Sequence, residues 1–182
     1  MYWTFTDIFE EKGGAQSPFH GGFGMMTFQG WKKPSYHAFR MLHALGDEQL
    51  YYKDPVIVSR NSNGGQITAL AFNYPDEYIQ KVLDMGDIKN HMDASSKHID
   101  ICIEQLPLHS TFVIETLDAS HGNAMRAFKE IGSPDAPTRE QSAWIQEQSE
   151  DTRKEEIKAD ARGRLHIQRT LLPWTLMLIK QI

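Results

Sequence analysis

Apolar residues follow one spacing near the start of the chain and another beyond Gly46. Tyr2-Trp3-Thr4-Phe5-Thr6 is bulky and β-prone, and Asp7 ends the run, so residues 2–7 read as a strand. From Ile8 to Lys33 there is no period, and glycines punctuate the stretch. Loops of this length inside a compact domain are usually functional or disordered. Ala38, Phe39, Leu42 and Leu45 then fall on one helical face. Pro34 suits the first turn and Gly46 the position past the end, so the spacing predicts a helix over 35–45.

After Gly46 the apolar runs are short. Pro55-Val56-Ile57-Val58 and the run Ile67 to Phe72 flank "RNSNGG", a hairpin loop. Ile99, Ile101 and Ile103 alternate with Asp100, Cys102 and Glu104, the pattern of a strand with one wet face. Phe112, Ile114 and Leu117 mark the next strand. Leu165-His166-Ile167 and Leu176-Met177-Leu178-Ile179 close the chain, joined around "LLPW". Short strands separated by turn signals suggest a sandwich. Two helices interrupt it. In "NAMRAFKEIG", Met125, Phe128 and Ile131 are three apart, and Thr138 with Gln141 forms a capping-box pattern before "SAWIQEQ". "EDTRKEEIKADARGR" mixes both charge signs with few large apolar groups and reads as a solvated connection.

Composition narrows the functional classes. At 182 residues the chain can bury a real core in one or two domains. The net charge is −5 and the cations are scattered among acids, which excludes the basic stripe of a nucleic-acid binder. No apolar run is long enough to span a bilayer. Cys102 is the single cysteine, so no intrachain disulfide can form. That weighs against a small disulfide-stapled secreted fold and favours the cytoplasm, while the compartment of any longer parent stays open.

The candidate chemistry is sparse. Glycoside hydrolysis normally takes two carboxyl groups on opposite sides of a sugar bond. Glu10 and Glu11 are adjacent, and successive side chains of extended chain point to opposite faces. They make a poor acid and nucleophile pair, although one of them could line a site; the alternative is a solvated pair ending a strand. The eight histidines include no HExxH pattern and no close His/Cys cluster, so no metal is implied. Cys102 between isoleucines reads as half-buried filler. "GGFG" lacks the capped helix and Lys-Ser/Thr of a phosphate loop.

Three stretches, "YWTFTDIFEE", "PFHGGFGMM" and "KKPSYHAFRMLHALGD", resemble the end of the catalytic barrel in glycoside hydrolase family 39. That family holds β-xylosidases and α-L-iduronidases. "SHGNAMRAFKEIGSPDAPTREQSAWIQEQS" is similar to a helical segment of the β-xylosidase branch, and "GRLHIQRTLLPWTLMLI" to its final strands. The resemblance implies a mainly β chain: an accessory β-sandwich with a helical insertion, preceded by the last strand, loop and helix of a (β/α)8 barrel. The expected domains are residues 1–46 as the barrel remnant and 47–182 as the sandwich, with the insertion at about 121–150.

The resemblance further implies a retaining enzyme acting on β-xylosides, of which this chain supplies the last wall of the sugar pocket. Trp3, Glu10, Glu11 and His20 would contact the substrate's hydroxyls. By the resemblance, the family's acid/base and nucleophile lie on earlier barrel strands, so no catalytic residue is carried over, and Met1 is expected to stand where a longer chain was cut. No cofactor is implied. The implied partners are xylosides or xylo-oligosaccharides, the missing catalytic barrel, and a second copy paired through residues 2–8. A rival class is an independent carbohydrate-binding module, with Tyr51, Tyr52, Tyr74 and Tyr78 as its aromatic platform; a third is a structural interaction domain.

Overall fold

The computed structural model describes residues 4–8, 17–20, 23–75 and 95–182. Its contacts divide the chain into two compact units: Met1–His43 with Leu117–Arg153, and Ala44–Thr116 with Lys154–Ile182.

The first unit begins with β1 (Thr4–Thr6) and β2 (Gly24–Met26), which pair in parallel with Thr4 opposite Gly24 and Thr6 opposite Met26. β2 lies inside the stretch read from sequence as loop; three residues are too few to show a period. On this edge β1 takes a partner from its own chain. After β2 a tight turn follows: Thr27 N–H donates to the Trp31 carbonyl at 2.9 Å, and Gly30 sits at φ 88°. Pro34 then opens α1 (Pro34–His43), where its fixed φ and missing N–H cost nothing.

Two further helices belong to this unit. α2 (Ala124–Glu130) is capped by the Asn123 side chain. α3 (Arg139–Glu150) carries the expected capping box: Gln141 N–H donates to Thr138 Oγ1 at 3.2 Å, and Thr138 N–H donates to Gln141 Oε1 at 2.9 Å. Both helices pack on the segment that follows β2, with Trp31, Ala124, Ala127, Phe128 and Ile145 buried together. The excursion that interrupts the sandwich in sequence therefore groups in space with the first segment.

The second unit contains β3 (Glu48–Lys53), β4 (Val56–Arg60), β5 (Ile67–Asn73), β6 (Lys97–Ile103), β7 (Thr111–Leu117), β8 (Arg153–Lys158), β9 (Leu165–Leu171) and β10 (Thr175–Gln181). Among the described residues they form a six-stranded sheet, ordered β3-β4-β5-β10-β7-β8, and a two-stranded sheet of β6 and β9. Val56, Val58, Ala69, Ala71, Phe112, Ile114, Met177 and Ile179 of the larger sheet share one core with Ile99, Ile101, Leu165, Ile167 and Leu171 of the smaller. Two sheets facing across a common apolar layer make a sandwich. β6 is the cleanest case of its sequence pattern, with Ile99 and Ile101 buried and His98, Asp100 and Cys102 exposed.

The charge-rich stretch expected as a solvated connection contains β8, which corrects that reading. Ile157 alone supplies an apolar inward contact, and the strand lies at the sheet edge, where charge discourages pairing with other chains. β9 and β10 flank "LLPW" as expected but belong to different sheets. The corner is stitched by Asn73, whose Nδ2 donates to the Leu171 carbonyl at 2.9 Å while its own carbonyl accepts from Trp174 N–H at 2.8 Å.

Neighbouring leucines of β10 separate by burial. Leu178 is buried and stands opposite Leu70, whereas Leu176 is half-buried. Leu178→Ala is expected to cost about 2–5 kcal/mol and Leu176→Ala roughly half as much. Urea unfolding of the two variants checks the order; equal midpoints would contradict the burial difference.

Candidate functional site

β1 ends in a fixed carboxylate. Asp7 is 4% exposed, its Oδ1 accepts from Gly24 N–H at 2.7 Å, and its Oδ2 pairs with Lys33 Nζ. Its own N–H donates to the Met26 carbonyl at 3.0 Å. Asp7 thus joins both ends of the segment 8–23, so the chain leaves β1 and re-enters β2 within hydrogen-bond distance. Gly24 is the residue type this closure demands: a Cβ there would lie 2.4 Å from the Thr6 carbonyl carbon and 2.5 Å from Asp7 N.

Within that segment His20 is half-buried and its Nδ1 donates to the Ser17 carbonyl at 2.8 Å. Phe19, beside it, stacks on Trp31 with centroids 6.0 Å apart and meets Phe128 at 5.5 Å. Trp31 closes the triangle against Phe128 at 6.0 Å. The Phe19 end of the loop therefore rests on a buried aromatic cluster, which α2 completes.

The N-terminal side of α1 is tied to the end of α3. His37 is buried, and its Nε2–H donates to the Ser149 carbonyl at 2.7 Å, one of the carbonyls a helix C-terminus leaves without an intrahelical partner. Lys32 pairs with Glu150 at 2.9 Å, and this contact, helped by Gln146, holds the Glu150 carboxyl below its ordinary range. A carboxyl lowered on folding adds stability above its unfolded pKa and loses it as pH falls through the folded one. The docking of α3 on α1 is therefore expected to weaken in acid. Lys32→Ala should abolish that part of the acid dependence, as followed by the pH titration of the Ser149 and Glu150 amide resonances.

Of the residues singled out in the sequence, Trp3, Glu10 and Glu11 lie outside the described residues. His20 is the member the structure describes, in the segment between β1 and β2. Sequence reasoning missed Asp7 as an anchor, treating it as the end of a strand; the usable signal was an acid directly after a strand and ahead of a glycine-rich run. It also missed Lys33, which pairs with Asp7, and Trp31, on which Phe19 stacks. Tyr51 and Tyr52 are exposed at successive positions of β3, and Tyr74 packs edge-on against Trp174 at 5.0 Å; Tyr78 lies outside the described residues. Among the described residues no three His, Cys, Asp or Glu side chains are grouped to hold a metal ion.

The family model for glycosyl hydrolases family 39 matches residues 1–166. The chain belongs to family 39. Among curated proteins similar to it, a β-xylosidase of Geobacillus stearothermophilus is 34% identical over 140 residues, covering 76% of this chain and 25% of that protein. A β-xylosidase of Caldicellulosiruptor saccharolyticus is 31% identical over 156 residues, covering 86% of this chain and 30% of that protein. The chain thus spans between a quarter and a third of the length of these relatives.

Solved family 39 structures share the fold. The GH39 enzyme from Xanthomonas axonopodis pv. citri superposes with a TM-score of 0.77 at 18% identity, over 98% of this chain and 36% of that one. A monomeric β-xylosidase from Caulobacter crescentus gives 0.72 at 23% identity, over 98% and 36%. In this family 39 chain, the mainly β architecture with a sandwich and helices is therefore a shared feature.

Proposed function

We propose that this chain is the C-terminal part of a retaining glycoside hydrolase acting on β-xylosides. In that enzyme residues 1–46 complete a catalytic barrel and residues 47–182 form the accessory sandwich with its helical excursion. The observation that carries the reading is the 34% and 31% identity to two β-xylosidases over three quarters or more of the chain. Barrel enzymes place their sites at the C-terminal ends of the strands and in the loops that follow. The loop held by Asp7 occupies that position after β1, which supports Trp3, Glu10, Glu11 and His20 as sugar-binding residues. A carboxylate there accepts hydrogen bonds from neighbouring sugar hydroxyls, and an aromatic face excludes water from the ring. The acid/base and nucleophile that form and resolve a glycosyl-enzyme intermediate are supplied by the rest of the barrel.

The isolated chain is expected to leave p-nitrophenyl-β-xyloside intact. The same chain joined behind the barrel portion of the Geobacillus stearothermophilus relative is expected to hydrolyse it, with Glu10→Gln or Glu11→Gln raising KM about tenfold. Turnover by the isolated chain that disappears on changing either glutamate would overturn the reading.

A further inference from the structure

We propose that Asn63, in the β4–β5 hairpin loop, is a site of spontaneous covalent modification that converts it through a cyclic imide to aspartate and isoaspartate. Asn63-Gly64 is the single Asn-Gly pair of the chain. The reaction has one demanding step: the backbone nitrogen of the following residue must reach the side-chain carbonyl carbon. Most folded asparagines fail at that step. Either the nitrogen is committed to a hydrogen bond, or the next side chain stands in the way.

Neither obstacle operates at Asn63. Residues 61–66 are all exposed. The Asn63 side chain makes no hydrogen bond among the described residues. Gly64 N–H reaches the Asn61 carbonyl at 3.4 Å, a weak contact, because the same oxygen takes a closer one from Gly65 N–H at 2.7 Å. A Cβ on Gly64 would meet no described atom within 4 Å, so crowding does not shield the nitrogen. The left-handed position of the loop falls on Gly65, at φ 66°, and Gly64 keeps the conformational freedom that the attack uses. Asn61, two residues earlier, is the internal contrast. Its attacking nitrogen would be that of Ser62, whose N–H donates to Asp47 Oδ1 at 2.8 Å. Its side-chain oxygen already accepts from Asn63 N–H at 3.0 Å. The loop holds one asparagine and leaves the other to react.

In the reaction the Gly64 nitrogen gives its proton to hydroxide and attacks Cγ of Asn63. A carbon–nitrogen bond forms, and ammonia leaves with the side-chain nitrogen and a proton returned by water. Water then opens the five-membered ring at either carbonyl, and no electron is transferred at any step. Both products place a new carboxylate one residue from Ser62, which holds the Asp47 carboxylate. Isoaspartate also adds a methylene to the backbone inside a loop that Asn61 N–H closes on the Gln66 carbonyl at 3.0 Å. Repulsion and the longer backbone both work against the grip of Ser62 on Asp47.

Ageing of the folded 182-residue chain at mildly alkaline pH tests this, read by peptide mapping and by labelling with an isoaspartyl methyltransferase. Conversion is expected at position 63 while Asn61 stays intact. Gly64→Ala is expected to slow it about tenfold, because a methyl beside the nitrogen hinders the attack. The variant keeps the fold, since that methyl meets no described atom. Asn63→Gln is expected to abolish the signal, because the longer side chain would have to close a six-membered ring. The proposal is overturned if position 63 stays unchanged while a free peptide of the loop sequence converts under the same conditions. It is equally overturned if Asn61 converts as fast as Asn63, or if Gly64→Ala ages at the parent rate.

Discussion

Phe112→Ala is expected to remove about 3–5 kcal/mol of stability, the largest loss of any single core truncation in the sandwich. Phe112 is wholly buried on β7 and belongs to the layer shared by the two sheets. β7 lies between β10 and β8, so the void would open inside the sheet rather than at a margin. Its neighbours in that layer, Ile114 and Ile179, are also wholly buried, which leaves little room for collapse into the space. Phe28→Ala is the control: the same side chain is lost from a position 72% exposed, and the effect is expected within about 0.5 kcal/mol. Urea unfolding of both variants gives the comparison. Equal midpoints would mean that Phe112 is not a core residue.

Gly24→Ala is expected to cost about 3 kcal/mol, from overpacking together with a buried carboxylate deprived of its donor. The added methyl would meet the Thr6 carbonyl carbon and Asp7 N and stand 2.7 Å from Asp7 Oδ1. Backbone cannot rotate aside as a side chain can, so β1 and β2 must separate. Separation breaks the Asp7 contact with Gly24 N–H and leaves Lys33 with the remaining charge interaction. If the segment between β1 and β2 binds sugar as proposed, the same change in the fused enzyme is expected to raise KM more than it lowers kcat, because it displaces the ends of that segment. Gly64→Ala provides the matched comparison, since a methyl there meets nothing within 4 Å. A Gly24→Ala variant as stable as Gly64→Ala would show that β1 and β2 tolerate a wider spacing.

Elements with a polarity period were legible in the sequence. α1, the capped start of α3, the β4–β5 hairpin and the alternation of β6 all follow from spacing and turn chemistry. β3 was not legible because all six of its residues are exposed, so nothing alternates, and a bulge between Gln49 and Tyr51 breaks the register. β8 escaped for a related reason: its charges protect an edge and imitate a solvated linker. No local pattern reveals that β9 and β10 lie in different sheets; that partition depends on Asn73 and Trp174 at the corner, which are far apart in sequence. The candidate site was marked in the sequence by its glycines and its family likeness. Its anchors were not, because the Asp7 pairing with Gly24 and Lys33 exists only after the chain has folded back.

The helical excursion leaves the sandwich from β7 and returns at β8, and these strands are neighbours in one sheet. Its two feet are already closed: Gly122 N–H donates to the Asp151 carbonyl at 2.8 Å, and a Cβ on Gly122 would touch both Leu117 and Thr152. A lineage could therefore lengthen, shorten or discard everything between these feet without disturbing a single strand pairing. Groups sharing this sandwich are free to diverge in the length of this excursion while keeping the same scaffold. Comparing excursion length across such groups would show whether evolution has used that freedom.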